Sequence, residues 1–363
     1  MTSLSHLLSQ FNLDAVAVIP GPNLLLLTGL DFHLSERPIV AFFPVQGVPT
    51  LIVPQLEVQK AMSGAQQFQI FDYDDNSGFP PAFARALQAM QISGKKLGVE
   101  GRRMRFLELS AMYQTGLAPQ CLNADAMLAE LRMRKSAQAI ADMRQAVHIA
   151  ESALLAVLPD LRAGISEQEF ASELVIATLR AGSGVLPFQP IIAAGANGAK
   201  PHANASEYRI QPGDLVTIDW GASHNHYLAD LTRTYAVAGG EIHPELVRAY
   251  DAVLAANTAG RLACRPGATG QAVDRAARQA ITEAGFGAYF NHRTGHGLGL
   301  EGHEEPDMKE TNLLALEPGM TFTVEPGVYL PGIGGVRIED NLVITAEGAE
   351  SLSTLPRQLT VIG

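Results

Sequence analysis

The stretch PGDLVTIDWG at residues 212–221 is repeated as PGMTFTVEPG at residues 318–327. The two stretches align without a gap, and the alignment places Asp219 opposite Glu325. Each acid ends a run rich in β-branched and apolar residues, a composition that favours a strand. The repeat therefore predicts two equivalent strands, each of which carries a carboxylate at its end.

Each predicted strand is followed by a turn and by a second strand with another acid. Asp230 follows the turn SHNH, and Glu339 follows the turn PGIG. Side chains opposite each other in an antiparallel pair lie roughly 4.5–5.5 Å apart, so we expect the two acids of each hairpin to face each other. Four buried carboxylates cannot all stay ionised without a cation, because desolvation and repulsion disfavour the charged forms. Two divalent metal ions would balance them.

The repeat extends to the segment before each strand. GISEQEFASELVIATLRAG at 164–182 and GATGQAVDRAARQAITEAG at 267–285 are equally long and predict helices that end at a glycine. Ser166 with Glu169 is typical of a capping box, and Thr269 is the matching N-cap residue. We therefore expect two α/β halves related by a pseudo-twofold axis, with the site between them.

The first third of the chain has a different pattern. Short apolar runs such as NLLLLTG and PIVAFFP alternate with helical stretches such as PAFARALQAMQ, which is typical of a small α/β domain. With 363 residues, two domains are expected. We place them at residues 1–128 and 129–363, because an amphipathic helical region begins near the boundary.

Composition excludes several classes of protein. No apolar run approaches the roughly 18 residues of a membrane span, and the N-terminal residues lack the basic region and apolar core of a signal peptide, so we expect a cytoplasmic protein without a membrane partner. The net charge is −11 and there is no cluster of Lys and Arg, which argues against a nucleic-acid surface. Cys121 and Cys264 lie far apart in sequence and predict reduced thiols rather than a disulfide.

The segments DWGASHNHYLADLTRT, HRTGHGLGLEGHEEP, TFTVEPGVYL and GVRIEDN resemble the creatinase/prolidase branch of the M24 metallopeptidases. This branch includes Xaa-Pro dipeptidase (prolidase) and aminopeptidase P. The resemblance covers nearly the whole chain and implies an α/β (α+β) protein with an N-terminal creatinase-like domain and a C-terminal pita-bread domain. It also implies a homodimer that hydrolyses the bond between an N-terminal residue and proline in dipeptides or short peptides.

The resemblance implies five metal ligands. Asp230 and Glu339 would bridge two ions, and the other three would each complete one ion. Manganese suits such an oxygen-rich set best, and cobalt, iron or zinc is compatible with it. The ligands are Asp219, Asp230, His296, Glu325 and Glu339.

The resemblance also implies catalytic and substrate-binding residues. Glu325 would be the general base, His303 would stabilise the oxyanion, and His202 would be a second histidine facing the substrate. Phe188 would line the proline pocket, and Tyr227 would form a substrate wall. These are expectations for single side chains, and an aromatic residue such as Phe188 is also common in a protein core.

Two further positions bear on the substrate. Arg337 precedes Glu339 by two residues, where it would hold a ligand carboxylate or contact substrate. Many dipeptidases of the family read HExPR after the second histidine, and that arginine is thought to hold the free carboxylate of a dipeptide. Here the run is HEEPDM, with Asp307 in that place. If Asp307 faces the pocket, its charge would favour longer peptides, and the choice between dipeptidase and aminopeptidase stays open.

Three other classes of protein share this scaffold. A metal-free creatinase would not keep all five ligands. Non-catalytic binding modules on this scaffold have typically lost ligands and often carry basic segments. Methionine aminopeptidases generally lack the N-terminal domain. The sequence therefore favours a proline-directed peptidase, with another metal-dependent hydrolase or lyase on the same scaffold as the alternative.

Overall fold

A computed structural model describes residues 3–117 and 119–363 of the chain. The chain divides into two compact units, Met1–Arg132 and Met133–Gly363. The division lies at the end of the helix Asp125–Met133, four residues after the boundary placed from sequence. Within the described residues, no helix is both long enough and apolar enough to cross a membrane.

The first unit is built around a six-stranded mixed sheet. Its strands are β1 (Ala15–Val18), β2 (Val40–Pro44), β3 (Thr50–Pro54), β4 (Gln69–Tyr73), β5 (Lys96–Val99) and β6 (Gln120–Asn123). Its helices are α1 (Leu4–Gln10), α2 (Pro22–Thr28), α3 (Val58–Ser63), α4 (Pro80–Ala89), α5 (Phe106–Gln114) and α6 (Asp125–Met133). The strand order is β4-β3-β2-β1-β5-β6.

Both faces of this sheet are covered. In β1, Val16 and Val18 belong to one buried apolar cluster, whereas Ala15 and Ala17 belong to the other. Side chains alternate between the faces of a strand, so an apolar residue at every position indicates helices or loops on both sides. The predicted small α/β domain is therefore a layered one with two cores.

The second unit contains four α-helices and thirteen strands among the described residues. The helices are α7 (Ala137–Val157), α8 (Glu167–Arg180), α9 (Pro244–Ala263) and α10 (Gly270–Glu283). The strands are β7 (Ile191–Ala194), β8 (Leu215–Trp220), β9 (Ser223–His224), β10 (Tyr227–Leu228), β11 (Leu231–Val237), β12 (Gly295–Gly297), β13 (Glu304–Met308), β14 (Thr321–Val324), β15 (Gly327–Leu330), β16 (Gly334–Arg337), β17 (Asp340–Ile344), β18 (Ala349–Ser351) and β19 (Val361–Ile362).

These strands form two larger sheets and two short hairpins. The four-stranded sheet has the order β19-β11-β8-β7, and the five-stranded sheet has the order β13-β12-β14-β17-β18. The antiparallel pairs β8–β11 and β14–β17 are the repeated hairpins that the sequence predicts. A buried apolar cluster on β8 and β11 packs against α7 and α8, and a second cluster involves α9 and α10.

The two repeated helices begin as predicted. Ser166 Oγ accepts a hydrogen bond from the Glu169 amide at 3.1 Å, and Glu169 Oε2 accepts one from the Ser166 amide at 2.8 Å. Thr269 Oγ1 accepts from the Ala272 amide at 3.1 Å. The glycines after the helices, Gly182 and Gly285, have φ values of 102° and 90°. Such left-handed conformations are easy for glycine and end a helix.

The register of the first hairpin differs from the expected one. Asp219 pairs with Thr232 rather than with Asp230. The reason lies in the turn, whose positive-φ residues are Asn225 and His226, one position later than the centre of SHNH. Because side chains two residues apart share a face of a strand, Asp230 still lies on the same side as Thr232 and Asp219, displaced along the hairpin.

Candidate metal centre

Five side chains from the two halves meet at the ends of the repeated hairpins. Asp230, His296 and Glu339 are buried and offer ligand atoms that all lie within 4.8 Å of one another. Glu325 joins this group, because its Oε1 lies 3.4 Å from Nε2 of His296. Asp219 is also buried, and it lines the same cavity as the other four. All five predicted ligand residues therefore line one cavity, and Asp230, His296 and Glu339 are close enough together to hold one ion.

Two glycines allow His296 to approach the acids. A Cβ atom at Gly295 would overlap the carbonyl oxygen of Thr323, and one at Gly297 would overlap the backbone of Glu305. His296 Nδ1 lies 3.1 Å from the Gly297 carbonyl oxygen, so a proton on Nδ1 leaves Nε2 free to act as a ligand. Nε2 faces Asp230 Oδ2 at 3.6 Å.

Side chains of one half orient the acids of the other half. Arg337, at the end of β16, donates from Nη2 to Asp219 Oδ2 at 2.6 Å. Thr232 in β11 donates to Glu339 Oε2 at 2.7 Å, and the Glu339 amide donates to the Thr232 carbonyl oxygen at 3.1 Å. Asn341 in β17 accepts from the Asp230 amide at 3.1 Å and donates to the Asp230 carbonyl oxygen.

Burial and mutual repulsion make the cluster costly to ionise. Burial, followed by the charges of Asp219 and Glu325, raises the pKa of Asp230 well above its ordinary value. Burial, followed by Asp230, likewise raises the pKa of Glu339. For Glu325, burial raises the pKa to about 7. Burial lowers the pKa of His296, which keeps its imidazole neutral. A histidine must be neutral to bind a metal ion, so this protonation state suits His296 as a ligand.

Two oxygen atoms test whether a cation belongs in this cluster. Asp219 Oδ1 and Glu339 Oε1 are buried without a hydrogen-bond partner among the described residues. Buried polar atoms are nearly always satisfied, and a carboxylate oxygen without a donor is costly. A divalent cation would satisfy both atoms and offset the repulsion. The donor set, with four carboxylates and one imidazole, therefore fits a metal centre.

The acids open onto a cavity of ≈ 1120 Å³. Pro187, Phe188 and Pro190 give part of its wall an apolar surface, and His202 and His303 also line it. The His303 ring lies with its centroid 4.0 Å from that of His296. Burial, followed by the charge of Arg293, lowers the pKa of His303, so its imidazole is neutral at neutral pH. The structure thus brings Phe188, His202 and His303 to the cavity.

Two residues expected to contact the substrate do not line this cavity. Tyr227 packs against the apolar cluster of α7 and β8, because β10 turns its ring towards that core. Asp307 is turned away from the cavity, and its carboxylate binds Arg293 Nη1 at 2.9 Å and Lys309 Nζ at 2.6 Å. These placements correct both expectations, since the sequence could not show which way either side chain points.

Arg337 lines the cavity, but its donors are taken by the protein. Besides Asp219, its guanidinium binds Thr232 Oγ1 at 3.1 Å, the Pro201 carbonyl oxygen at 3.1 Å and Tyr329 Oη at 2.9 Å. Of the two roles weighed from sequence, holding a carboxylate is the one that its contacts support. Arg337 thus orients Asp219.

Sequence reasoning missed three residues that line the cavity. His292 lies on the wall, and its Nε2 is 2.9 Å from Tyr329 Oη. Tyr329 was not singled out, since an aromatic residue in a β-rich run is also typical of a core. Arg293 was overlooked although it is a cation inside HRTGHG, only three residues before His296. That proximity was the available signal.

Comparison with known proteins places this centre in a family. Residues 141–346 match the model of metallopeptidase family M24, and residues 1–134 match the creatinase/prolidase N-terminal domain. The chain belongs to metallopeptidase family M24 and is an enzyme. Its second unit is the pita-bread domain of that family, and the family uses divalent metal ions.

Relatives span almost the full length of the chain. The chain is 33% identical over 354 residues to an Xaa-Pro dipeptidase of Pyrococcus horikoshii. The alignment covers 96% of this chain and 95% of the relative. The structure of the dipeptidase PepE from Mycobacterium ulcerans matches with a TM-score of 0.91 and 33% identity, over 99% of this chain and 96% of the other. An X-Pro aminopeptidase from Thermotoga maritima matches with a TM-score of 0.83 and 29% identity, over 97% and 98%.

Proposed function

We propose that this enzyme is a dinuclear, proline-specific exopeptidase that hydrolyses the bond between an N-terminal residue and proline. The observation that carries the proposal is the meeting of three buried carboxylates, the half-buried carboxylate of Glu325 and His296 beside a cavity walled by Phe188. The full-length similarity to an Xaa-Pro dipeptidase supports it. Proline-containing dipeptides and short peptides are the proposed substrates.

The five ligand residues define how metal would be held. Asp230 and Glu339 would be shared between two ions, as the resemblance to the family implies. Asp219 would complete one ion, and His296 with Glu325 would complete the other. When bound, divalent ions such as Mn²⁺ lower the pKa of water and polarise the scissile carbonyl as Lewis acids. The two oxygen atoms without hydrogen-bond partners, on Asp219 and Glu339, support the assignment.

Three side chains would move protons or bind the reacting atoms. Glu325 would take the proton from the attacking water and give it to the leaving proline nitrogen, since it is a carboxylate that lines the cavity beside the other proposed ligands. His303 is neutral and lines the cavity, so its N–H can donate to the developing oxyanion. His202 is exposed to the same cavity and would contact the peptide.

Selectivity for proline would come from shape. A bond to proline is a tertiary amide without an N–H, so a peptidase cannot hold it through an amide proton. An apolar wall that fits the pyrrolidine ring can select it instead. Phe188, between Pro187 and Pro190, gives the cavity such a wall.

A comparison of rates tests the proposal. The manganese-loaded enzyme should hydrolyse Ala-Pro or Ala-Pro-Ala at least tenfold faster, in kcat/KM, than Ala-Ala. The Glu325→Gln variant, prepared in the same way, should show no hydrolysis and so exclude a contaminating peptidase. Hydrolysis of Ala-Ala as fast as both proline peptides would contradict the assignment.

A further inference from the structure

Arg293 is a cavity-lining cation with spare hydrogen-bond donors. Its guanidinium donates from Nη1 to Asp307 Oδ1 at 2.9 Å, and this is its single hydrogen bond within residues 3–117 and 119–363. A guanidinium has five N–H donors. Arg337, which lines the same cavity, instead binds Asp219, Thr232, Tyr329 and a carbonyl oxygen. An anionic group in the cavity can therefore bind Arg293 without breaking a protein contact.

Asp307 fixes the position of this guanidinium. The Asp307 side chain is only 11% exposed, and Lys309 binds its second oxygen. The Arg293 side chain is 31% exposed and reaches the cavity, whereas Lys309 is 44% exposed and lies outside it. The three residues together carry one positive charge in excess. A buried anchor with an excess cation at the cavity wall is suited to binding a carboxylate.

We propose that Arg293 determines substrate length by binding the free carboxylate of an Xaa-Pro dipeptide, with Asp307 as its positioning residue. This inference rests on the proposed function and adds the class of substrate. It also reverses the expectation that Asp307 would repel a dipeptide, because the charge of Asp307 is already paired with Arg293 and Lys309.

The chemistry of the substrate explains the selectivity. In a dipeptide, a carboxylate follows the proline ring directly, and a guanidinium can bind it through two parallel hydrogen bonds. In a longer peptide, or in a dipeptide amide, a neutral group occupies that place. Arg293 therefore discriminates between an acid and an amide of the same size and shape.

The kinetic test compares Ala-Pro with Ala-Pro amide. In the wild-type enzyme, kcat/KM should be higher for the acid, and Arg293→Gln should reduce this preference by roughly 10- to 100-fold, mainly through KM, as expected for a lost hydrogen-bonded charge pair. Arg293→Lys keeps the positive charge but loses the planar guanidinium that can form two parallel hydrogen bonds. This variant should reduce the preference for the acid less than Arg293→Gln does. Arg275→Gln is the matched control, because Arg275 is an arginine that also pairs with one acid, Glu310, but does not line the cavity. It should change the preference by less than about threefold.

A binding measurement tests the same residue without hydrolysis. L-proline should raise the melting temperature of the wild-type protein more than L-prolinamide does, and Arg293→Gln should abolish that difference. Equal responses to the acid and the amide in the wild-type protein, or an unchanged preference in Arg293→Gln, would overturn the inference. Failure of the metal-loaded enzyme to cleave any proline peptide would instead refute the proposed function, while the binding experiment would still decide the role of Arg293.

Discussion

The β8–β11 and β14–β17 hairpins supply two carboxylates each, but they hold them differently. In the first hairpin, Asp219 is bound by Arg337 of the second half, and the backbone of Asp230 is bound by Asn341 of the second half. In the second hairpin, Glu339 is bound by Thr232 of the first half. The repeated strands thus place the acids, while contacts across the pseudo-twofold axis orient them.

The second half also orients one of its acids by itself. Thr323 donates to Glu325 at 3.3 Å and also accepts from the His296 amide at 3.1 Å. The imidazole comes from this half alone, on β12. The two halves are therefore equivalent in strand geometry but not in chemistry, and the proposed proton-transferring residue belongs to the half with the histidine. Such asymmetry lets a duplicated scaffold carry one active centre rather than two.

The largest effect should come from removing the cation that the two hairpins share. Exhaustive chelation is expected to lower hydrolysis of Ala-Pro by more than about 10³-fold, and Mn²⁺ or Co²⁺ should restore it, with about two ions bound per chain. Asp230→Asn and Glu339→Gln, at the proposed bridging positions, should each reduce the content of both ions. Asp219→Asn should mainly remove one.

Metal analysis after dialysis, alongside the rates, measures this prediction. Full activity in a protein shown to be free of metal would contradict it. Equal loss of metal in all three variants would mean that the two hairpins do not divide bridging and terminal roles as proposed.

The next effect concerns His303, which the second half provides next to His296. Replacing it with alanine should lower kcat by roughly 10² to 10³, the scale of losing one oxyanion donor. The metal content should not change, since His303 is proposed to bind the substrate oxygen and not an ion. Loss of an ion from this variant would place His303 among the ligands, and a nearly normal kcat would make it a structural residue.

A third test uses the pKa of Glu325 in metal-stripped protein. Because burial raises this pKa to about 7, the folded state binds the proton more tightly than the unfolded state, whose pKa is near 4.5. The contribution to stability is thus complete below about pH 4.5 and is lost as the pH rises through 7. For Glu325 alone, the free energy of unfolding should fall by up to about 3 kcal/mol.

Urea unfolding at pH 5 and pH 7 in the presence of a chelator measures this difference. Glu325→Gln cannot ionise and should show a smaller fall than the wild-type protein over the same range. Asp340, beside Glu339 in the same half, provides a contrast. Burial would raise its pKa, but Arg233 and Arg357 hold it below its ordinary value, so its contribution is lost only in acid. Identical pH profiles for wild type and Glu325→Gln would refute the prediction.

Much of this centre was predictable because the features that reveal the repeat depend on residues close together in sequence. Strand composition and helix caps depend on nearby residues, so α8, α10 and the two hairpins could be placed from sequence. The ligand set came from motif resemblance, and the structure brings all five residues together. The predicted register of the first hairpin was wrong, because its turn is centred one residue later than expected. Its turn residues, Asn225 and His226, both have positive φ, and the sequence SHNH does not indicate which pair adopts it.

Side-chain direction was not predictable. Tyr227 and Asp307 were expected at the substrate because they stand at the right places in sequence. Their actual contacts are made with α7 and with Arg293, and these depend on how separate elements pack. Arg293 itself was missed for the same reason. Motif position predicts which element carries a residue, but long-range packing decides what its side chain meets.

A smaller effect should distinguish support across the halves from support within one half. Thr232→Val removes a 2.7 Å hydrogen bond to Glu339 and a contact with Arg337, and should weaken metal binding by about 10- to 100-fold. Thr323→Val removes the longer bond to Glu325 and should weaken it less. Competition with a metal-binding dye measures both affinities. A larger loss for Thr323→Val would mean that support within the second half dominates.

The smallest effect concerns the N-caps of the two repeated helices, which are similar in position but not in bonding. Both cap residues also form isolated antiparallel bridges, Ser166 with Arg209 and Thr269 with Ala315. Ser166 is part of a reciprocal capping box, whereas the Thr269 hydroxyl accepts a single bond.

Ser166→Ala should therefore cost about 1–2 kcal/mol of stability and Thr269→Ala about 0.5–1 kcal/mol. Thr282→Ala, on the exposed face of α10 with its hydroxyl donating to the Arg278 carbonyl oxygen of the preceding turn, is the control and should be nearly neutral. Urea unfolding of metal-loaded protein measures all three changes, and catalysis should be unaffected. If Thr269→Ala were the more damaging change, the reciprocal bond from Glu169 would not contribute measurably, and the two helix starts would be energetically equivalent despite their different hydrogen bonds.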